Sequence, residues 1–474
     1  MSIIGRHAEI AELERYITSD KAEFIALYGR RRIGKTYLIN NVFKGRLSFS
    51  MTGVIEGSFK EQVEAFVDAL DIYGFTCVKA PETWMEAFTI LRKSLSPIAV
   101  KDKPCIVFLD EIPCLDTNGS GFAKALGHFW NSWGAEQPKL KLIVCGSSTT
   151  WMIKNLIDSK GGLHNRITHE MKLSPFNLKE TEEYFTSRKF FFSRNLVLQA
   201  YMFTGGVAYY LSLFNPEESL AQNIDRLYFS ENGEMRREYK RLFKTLFNSA
   251  EAYMKIVELL ARKKQGMTRN EVVKAMNAEK GGTLSEQLAN LQECGFIRKY
   301  MVREKKTIKN NGGIFQLVDL FSLFHLTFAP KAMEDRNYWS NHLDTPIINA
   351  WLGLAFEKVC LVHASQIKQA LKIDGISTQQ YAWRSKTAKP AAQIDLIIDR
   401  ADNMINICEL KYSENEYSLK ESELKKIQHR ITTFVEETGT RKGIFATLIT
   451  AAPLKRNEHS EQIPIKITAD ELFR

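Results

Sequence analysis

Residues 24–36 read Phe24-Ile25-Ala26-Leu27-Tyr28-Gly29-Arg30-Arg31-Arg32-Ile33-Gly34-Lys35-Thr36, FIALYGRRRIGKT. An apolar run feeds a loop bounded by two glycines, and Tyr37-Leu38-Ile39 opens a helical pattern. The spacing is GxxxxGK[ST] between a strand and a helix. Gly29 and Gly34 allow the loop to curl until successive backbone N–H groups face a phosphate chain. The helix that follows turns its positive end toward the same anion. Lys35 is expected to reach the β- and γ-phosphates and the Thr36 hydroxyl to ligate Mg²⁺, with Arg32 and Tyr37 flanking the nucleotide. The stretch predicts ATP and Mg²⁺.

A phosphate loop demands an acidic strand end elsewhere in the sheet. Pro104-Cys105-Ile106-Val107-Phe108-Leu109-Asp110-Glu111 supplies it, an apolar run ending in two carboxylates. Ligands of open α/β sheets gather at that edge. Asp110 is expected to hold Mg²⁺, and Glu111 to orient or deprotonate the attacking water. A third buried strand, Lys141 to Gly146, ends in Ser147-Ser148-Thr149-Thr150. There Ser147 either contacts the γ-phosphate or caps the next helix. Gly161-Gly162-Leu163-His164-Asn165-Arg166 is a glycine-rich loop whose Arg166 either stabilises transition-state charge or is a plain surface cation. Upstream, the Gly5-Arg6 turn precedes an amphipathic helix, where a nucleotide base would be enclosed.

The chain has 474 residues, 44% hydrophobic and 25% charged, an ordinary globular composition with room for about three domains. Its net charge is +10, and residues 251–310 concentrate it, with 13 Lys/Arg against seven acids. Such a basic stretch suits a polyanion or a solvated face. Seven scattered cysteines without zinc spacing predict reduced thiols and a cytoplasmic protein. No run approaches the length of a membrane span, and the N-terminus lacks the apolar region of a signal peptide.

The basic stretch resolves into helical patterns at Glu251 to Lys264, Arg269 to Met276 and Thr283 to Cys294. A hairpin from Phe296 to Val318 follows. That is the outline of a winged helix-turn-helix, with Thr283, Ser285, Gln287 and Asn290 placed to read bases and Lys305, Lys306 and Lys309 to meet phosphates. Further on, Trp351 to His363 is helical and carries Glu357. Gln393 to Asp399 and Ile405 to Lys411 read as adjacent strands around a turn at Asn403. In Glu409-x-Lys411 the acid and the lysine share one strand face, and Asp395 should lie beside them. This is the PD-(D/E)xK arrangement. Asp395 and Glu409, with Glu357 as a further ligand and Gln428 as a weaker one, are expected to hold a divalent metal, while Lys411 orients water.

In order along the chain, Gly5-Arg6 with Glu9, YGRRRIGKT, LDE, the GSS strand, the arginine before Leu173-Ser174-Pro175-Phe176, and Thr204-Gly205-Gly206 resemble the archaeal-type ATPases of the STAND branch of the AAA+ group. Ala208 stands where that family usually has proline. The C-terminal pattern resembles the restriction-endonuclease-like domain that ends many of these ATPases. The resemblance implies an α/β P-loop NTPase core over residues 1–175 and a helical lid over 176–248. A winged helix over 249–335 and a nuclease-like α/β domain over 341–474 would follow. It implies a DNA-associated ATPase switch gating a Mg²⁺-dependent nuclease, able to form homo-oligomers. The alternative is a nucleotide-switched regulatory or DNA-binding protein whose nuclease-like domain is inert.

Overall fold

The computed structural model describes residues 3–99, 102–158, 162–163, 165–277, 282–300, 303–304, 307–308, 313–385 and 387–474. The chain divides into two compact units, Met1–Pro175 and Phe176–Arg474.

In the first unit, helix α1 (His7–Ile17) precedes β1 (Glu23–Tyr28), α2 (Lys35–Val42) and β2 (Leu47–Thr52). Helices α3 (Phe59–Ile72) and α4 (Trp84–Ala99) lead to β3 (Cys105–Asp110), α5 (Phe122–Ser132), β4 (Leu140–Gly146) and β5 (His169–Lys172). The strands run β2-β3-β4-β1-β5, every pair parallel. Strands β1, β3 and β4 are buried at every position, because helices cover both faces of a parallel sheet and leave no polar side. Their continuous apolar runs made them readable in the sequence. The edge strands β2 and β5 are half-exposed and mixed in composition, so no comparable signal marked them. On one face Trp84, Phe88 and Phe122 stack against the sheet, with Trp84 and Phe122 ring centroids 5.1 Å apart. On the other, Leu13, Ile17, Leu38 and Phe43 pack on Leu27 and Phe108. Each such burial contributes about 1.5–3 kcal/mol. Inserting β4 between β1 and β3 parts the phosphate-loop strand from the acidic strand by two inter-strand spacings, roughly 10 Å. Ser147, just past β4, therefore sits between them.

The second unit begins with α6 (Leu178–Ser187), α7 (Arg194–Thr204) and α8 (Ala208–Ser212). Asn177 and Glu180 form a capping box at the start of α6. Gly205 closes α7 in the left-handed conformation, and a side chain at Gly206 would put its Cβ 2.1 Å from the Phe176 carbonyl oxygen. Ala208 is the first residue of α8, a position where proline is tolerated but the helix starts without it.

After the intervening helical segments Leu220–Ile224, Asp225–Phe229 and Glu238–Leu246, the chain forms α9 (Ala250–Arg262), α10 (Arg269–Met276) and α11 (Gly282–Glu293). Strands β6 (Met267–Thr268), β7 (Ile297–Tyr300) and β8 (Ile314–Leu317) form an antiparallel sheet in the order β6-β8-β7. Thr268 caps α10 in a box with Glu271. Leu284, Leu288 and Leu291 bury the inner face of α11. Two of its expected base readers are engaged within the protein: Asn290 donates to the Tyr253 hydroxyl (2.8 Å) and Ser285 accepts from Arg269 (2.8 Å). Lys305, Lys306 and Lys309 lie outside the described residues.

Helix α12 (Leu320–Phe328) is mostly apolar and gathers aromatic residues of the unit around it. Phe324 meets Phe203 (4.6 Å), Tyr228 (4.9 Å) and Trp351 (5.2 Å), ring centroid to ring centroid. Next come α13 (Pro346–Val362), β9 (Thr378–Arg384), β10 (Gln393–Arg400), β11 (Met404–Lys411), α14 (Glu421–Thr438), β12 (Gly443–Thr450) and β13 (Ile465–Thr468). The sheet runs β9-β10-β11-β12-β13. Its first two pairings are antiparallel and the last two parallel, with α14 as the crossover between β11 and β12. Helix α13 begins five residues before the expected Trp351, because Pro346 occupies its first position. Among the described residues no single helix is long and apolar enough to cross a membrane.

Candidate active sites

The phosphate loop is shaped by backbone that few residues tolerate. Gly29 (φ 147°) passes so close to Leu173 that a Cβ there would lie 2.3 Å from its carbonyl oxygen, and Gly34 has φ 90°. Arg32 adopts φ 72° despite its side chain, a strained conformation of the kind found where a ligand site fixes the chain. Lys35 opens α2 nearly buried, and its Nζ donates to the carbonyls of Gly29 (2.9 Å) and Arg30 (3.0 Å). The Thr36 hydroxyl donates to Asp110 Oδ2 (2.6 Å), and the Glu111 N–H donates to Asp110 Oδ1 (3.0 Å). A hydroxyl touching a carboxylate beside an ammonium suits a hard cation and a phosphate chain, so these residues fit Mg²⁺ and a nucleoside triphosphate.

Glu111 sits at φ 48°, and its Oε2 accepts from both the Ser147 N–H (3.0 Å) and the Ser147 hydroxyl (2.8 Å). Ser147 thus positions the proposed water-activating carboxylate, a partnership the sequence left undecided. Gly5 and Arg6 are both left-handed. Arg6 is 4% exposed, and its guanidinium spans Glu9 Oε1 (3.2 Å) and the Ile33 carbonyl (3.3 Å). It braces the phosphate loop from behind. Tyr37 is exposed on α2, and Arg166 lies on an exposed turn. The seven cysteines are all free, five of them buried. Burial pushes the Cys105 thiol up to about 11, so it is an unreactive core residue.

In the second unit β10 pairs antiparallel with β11 in a register that sets Leu396 against Cys408. The paired register ends there, one residue short of Asp395 and Glu409. Lys411 Nζ pairs with Glu409 Oε1 at 3.1 Å and with Glu423 at 3.7 Å. The other Glu409 oxygen is held by Arg430 of α14. Sequence reasoning named Gln428 on this helix, but Gln428 faces solvent. Arg430 shares the inward face with Leu424, Ile427 and Phe434, at spacings of three and four, and that periodicity was the signal available. Asp395 Oδ1 accepts from Gln393 (2.6 Å). Burial foremost, then the Asp395 charge, drives the Glu357 carboxyl well above the ordinary range. Among the described residues no three His, Cys, Asp or Glu side chains close into a metal-holding group. Glu357, Asp395 and Glu409 sense one another's charge without converging on one point.

The fold and loop geometry of the first unit define a P-loop ATPase domain. Residues 3–214 match the family described as an ATPase domain predominantly from Archaea. Over 430 residues, 90% of each chain, the protein is 25% identical to an uncharacterized protein, MJECL04, of Methanocaldococcus jannaschii. Among solved structures it is similar to the Walker-type ATPase of Pyrococcus abyssi, at 17% identity and a TM-score of 0.47 over 68% of this chain and 96% of that one. It is also similar to the ORC2 protein of Aeropyrum pernix, at 14% identity and a TM-score of 0.43 over 70% and 95%.

Proposed function

We propose that the protein is an ATP-hydrolysing switch whose nucleotide state governs a DNA-acting C-terminal domain. The observation that carries the first half is the direct Thr36–Asp110 contact beside Lys35, with Glu111 held at Ser147. Thr36 and Asp110 would hold Mg²⁺, Lys35 would neutralise phosphate charge, and Glu111 would orient the attacking water. Arg166 is proposed to add positive charge in the transition state, in the same chain or across a homo-oligomer contact. Residues 249–335 are read as a winged helix and residues 341–474 as a nuclease-like domain acting on DNA in the cytoplasm. In the latter, Asp395 and Glu409, with Glu357, would have to close on a divalent ion, since the three carboxyls do not meet at one point as they stand; the ion would polarise a phosphodiester, and Lys411 would orient water.

The competing reading is a switch whose C-terminal domain binds without cutting. The Glu409 carboxylate is engaged on both oxygens by Lys411 and Arg430, which favours that alternative. Incubating the purified chain with single-stranded, duplex and branched DNA, with and without ATP, in Mg²⁺ or Mn²⁺, separates the two. Cleavage lost in Asp395→Asn supports the nuclease. DNA binding without cleavage under every condition supports the inert domain.

A further inference from the structure

A cleft of about 340 Å³ lies between the turn after α9 and the carboxylates of the C-terminal sheet. Lys264 and Gln265 form one wall, with Glu357, Gln393 and Asp395 on the other. Behind the first wall, Arg298 donates through Nε to Gln316 Oε1 (2.9 Å), and Gln316 Nε2 donates to the Lys264 carbonyl (2.8 Å). The guanidinium and the Lys264 turn are thereby braced as one piece. Arg298 Nη2 is buried with no hydrogen-bond partner among the described residues. Lys358 sits on α13 one turn beyond Leu354 and two beyond Ala350, both of which line the cleft. Its Nζ is likewise buried without a partner, the residue being only 3% exposed.

A buried ammonium lacking hydrogen bonds is among the costlier groups a fold can keep. Two buried cations lie behind the lining residues of one cleft, Lys358 with no hydrogen bond and Arg298 with one guanidinium nitrogen unpaired, and Lys264 lines the cleft itself; all three act on the charges of Glu357 or Asp395. Three positive groups gather about the two carboxyls that line this cleft, Glu357 and Asp395. The unmet hydrogen-bonding capacity is donor capacity, so the missing partner is an anion rich in acceptors.

We propose that Lys264, Arg298 and Lys358 form a phosphate subsite that holds a backbone phosphate of a single nucleic-acid strand beside Asp395 and Glu357. The assignment rests on reading residues 341–474 as a domain that acts on nucleic acid. It places residues of the preceding three-helix segment inside that site instead of in a distant groove contact. The cleft has the volume of a small-ligand pocket, which takes a strand and not a duplex.

The test uses the full chain and a labelled single-stranded oligonucleotide, titrated in EDTA at several salt concentrations, with inorganic phosphate as competitor. Lys358→Met removes a buried ammonium while keeping the volume. It should raise the thermal midpoint yet weaken strand binding at least tenfold and lower the salt slope by about 0.7. Lys264→Ala should weaken binding and lower the slope by a similar amount. Asp395→Asn should bind the strand more tightly, since a repelling charge is gone. A stabilised Lys358→Met variant with unchanged affinity and slope overturns the subsite. So does a wild-type protein that binds inorganic phosphate at this cleft but not the strand. If strand binding depends on Lys358 while no metal supports cleavage, the subsite stands and the nuclease reading falls. Cleavage with unaltered KM in both lysine variants overturns the subsite and leaves the nuclease reading intact.

Discussion

His363 provides a quantitative check on how the second unit is held together. It follows α13, 2% exposed, with Nδ1 donating to the Val359 carbonyl (2.9 Å) and Nε2 accepting the Leu178 N–H (3.1 Å). Only the neutral ring with its proton on Nδ1 satisfies both bonds. A second proton on Nε2 would face the Leu178 N–H at the start of α6. Burial accordingly lowers its pKa from 6.5 to about 4. The depressed folded value means that the unfolded chain binds the proton more readily. The stabilising contribution is complete above pH 6.5 and is lost as pH falls toward 4. Holding the ring neutral down to about 4 corresponds to ~3.4 kcal/mol in full, of which ~2 kcal/mol disappears between pH 7.5 and 5.0. Urea denaturation at those two pH values, followed by hydrogen exchange of the α6 and α13 amides, reads the loss. His363→Gln cannot titrate. Its drop between the two pH values should be smaller than the wild-type drop by ~2 kcal/mol, and every other titrating group cancels in that difference. Equal drops in the two proteins would refute the assignment of a neutral, doubly bonded ring.

Lys35→Ala should abolish ATP hydrolysis and weaken nucleotide binding, measured by phosphate release and by titration with a fluorescent ATP analogue; wild-type turnover would remove the phosphate-loop assignment. Glu111→Gln should keep ATP binding, because Thr36 and Asp110 are untouched, while turnover falls by about 10²–10⁴. Ser147→Ala should lower turnover in the wild-type background but add little to Glu111→Gln, and fully additive losses would show that Ser147 does not act through Glu111. On the nuclease reading, Lys411→Ala should stop cleavage yet retain metal by calorimetry, whereas Asp395→Asn loses both. Metal binding lost in both variants would contradict a water-orienting role for Lys411.

The sequence alone made the phosphate loop and the acidic strand end legible, because that pattern is local. Two glycines, a lysine and a threonine at fixed spacing shape one loop, and an apolar run ending in Asp110-Glu111 announces the buried strand that must face it. The same alternation put Glu409 and Lys411 on one face of β11. What it left undetermined depends on contacts between distant residues. The edge strands β2 and β5 are half-exposed, so their composition carries no distinctive period. The Gly5-Arg6 turn was legible as a place to enclose a base, but that the Arg6 guanidinium reaches the Ile33 carbonyl is decided by packing. Arg430 reaches Glu409 only because α14 crosses between β11 and β12, and Lys358 became conspicuous only once packing showed its ammonium buried and unbonded. Ser147 and Glu111 are 36 residues apart, and they meet because β4 lies beside β3 in the sheet. Spacing along the chain fixes what neighbouring residues can do together; which distant groups share a charge or a hydrogen bond is decided by strand order and helix packing.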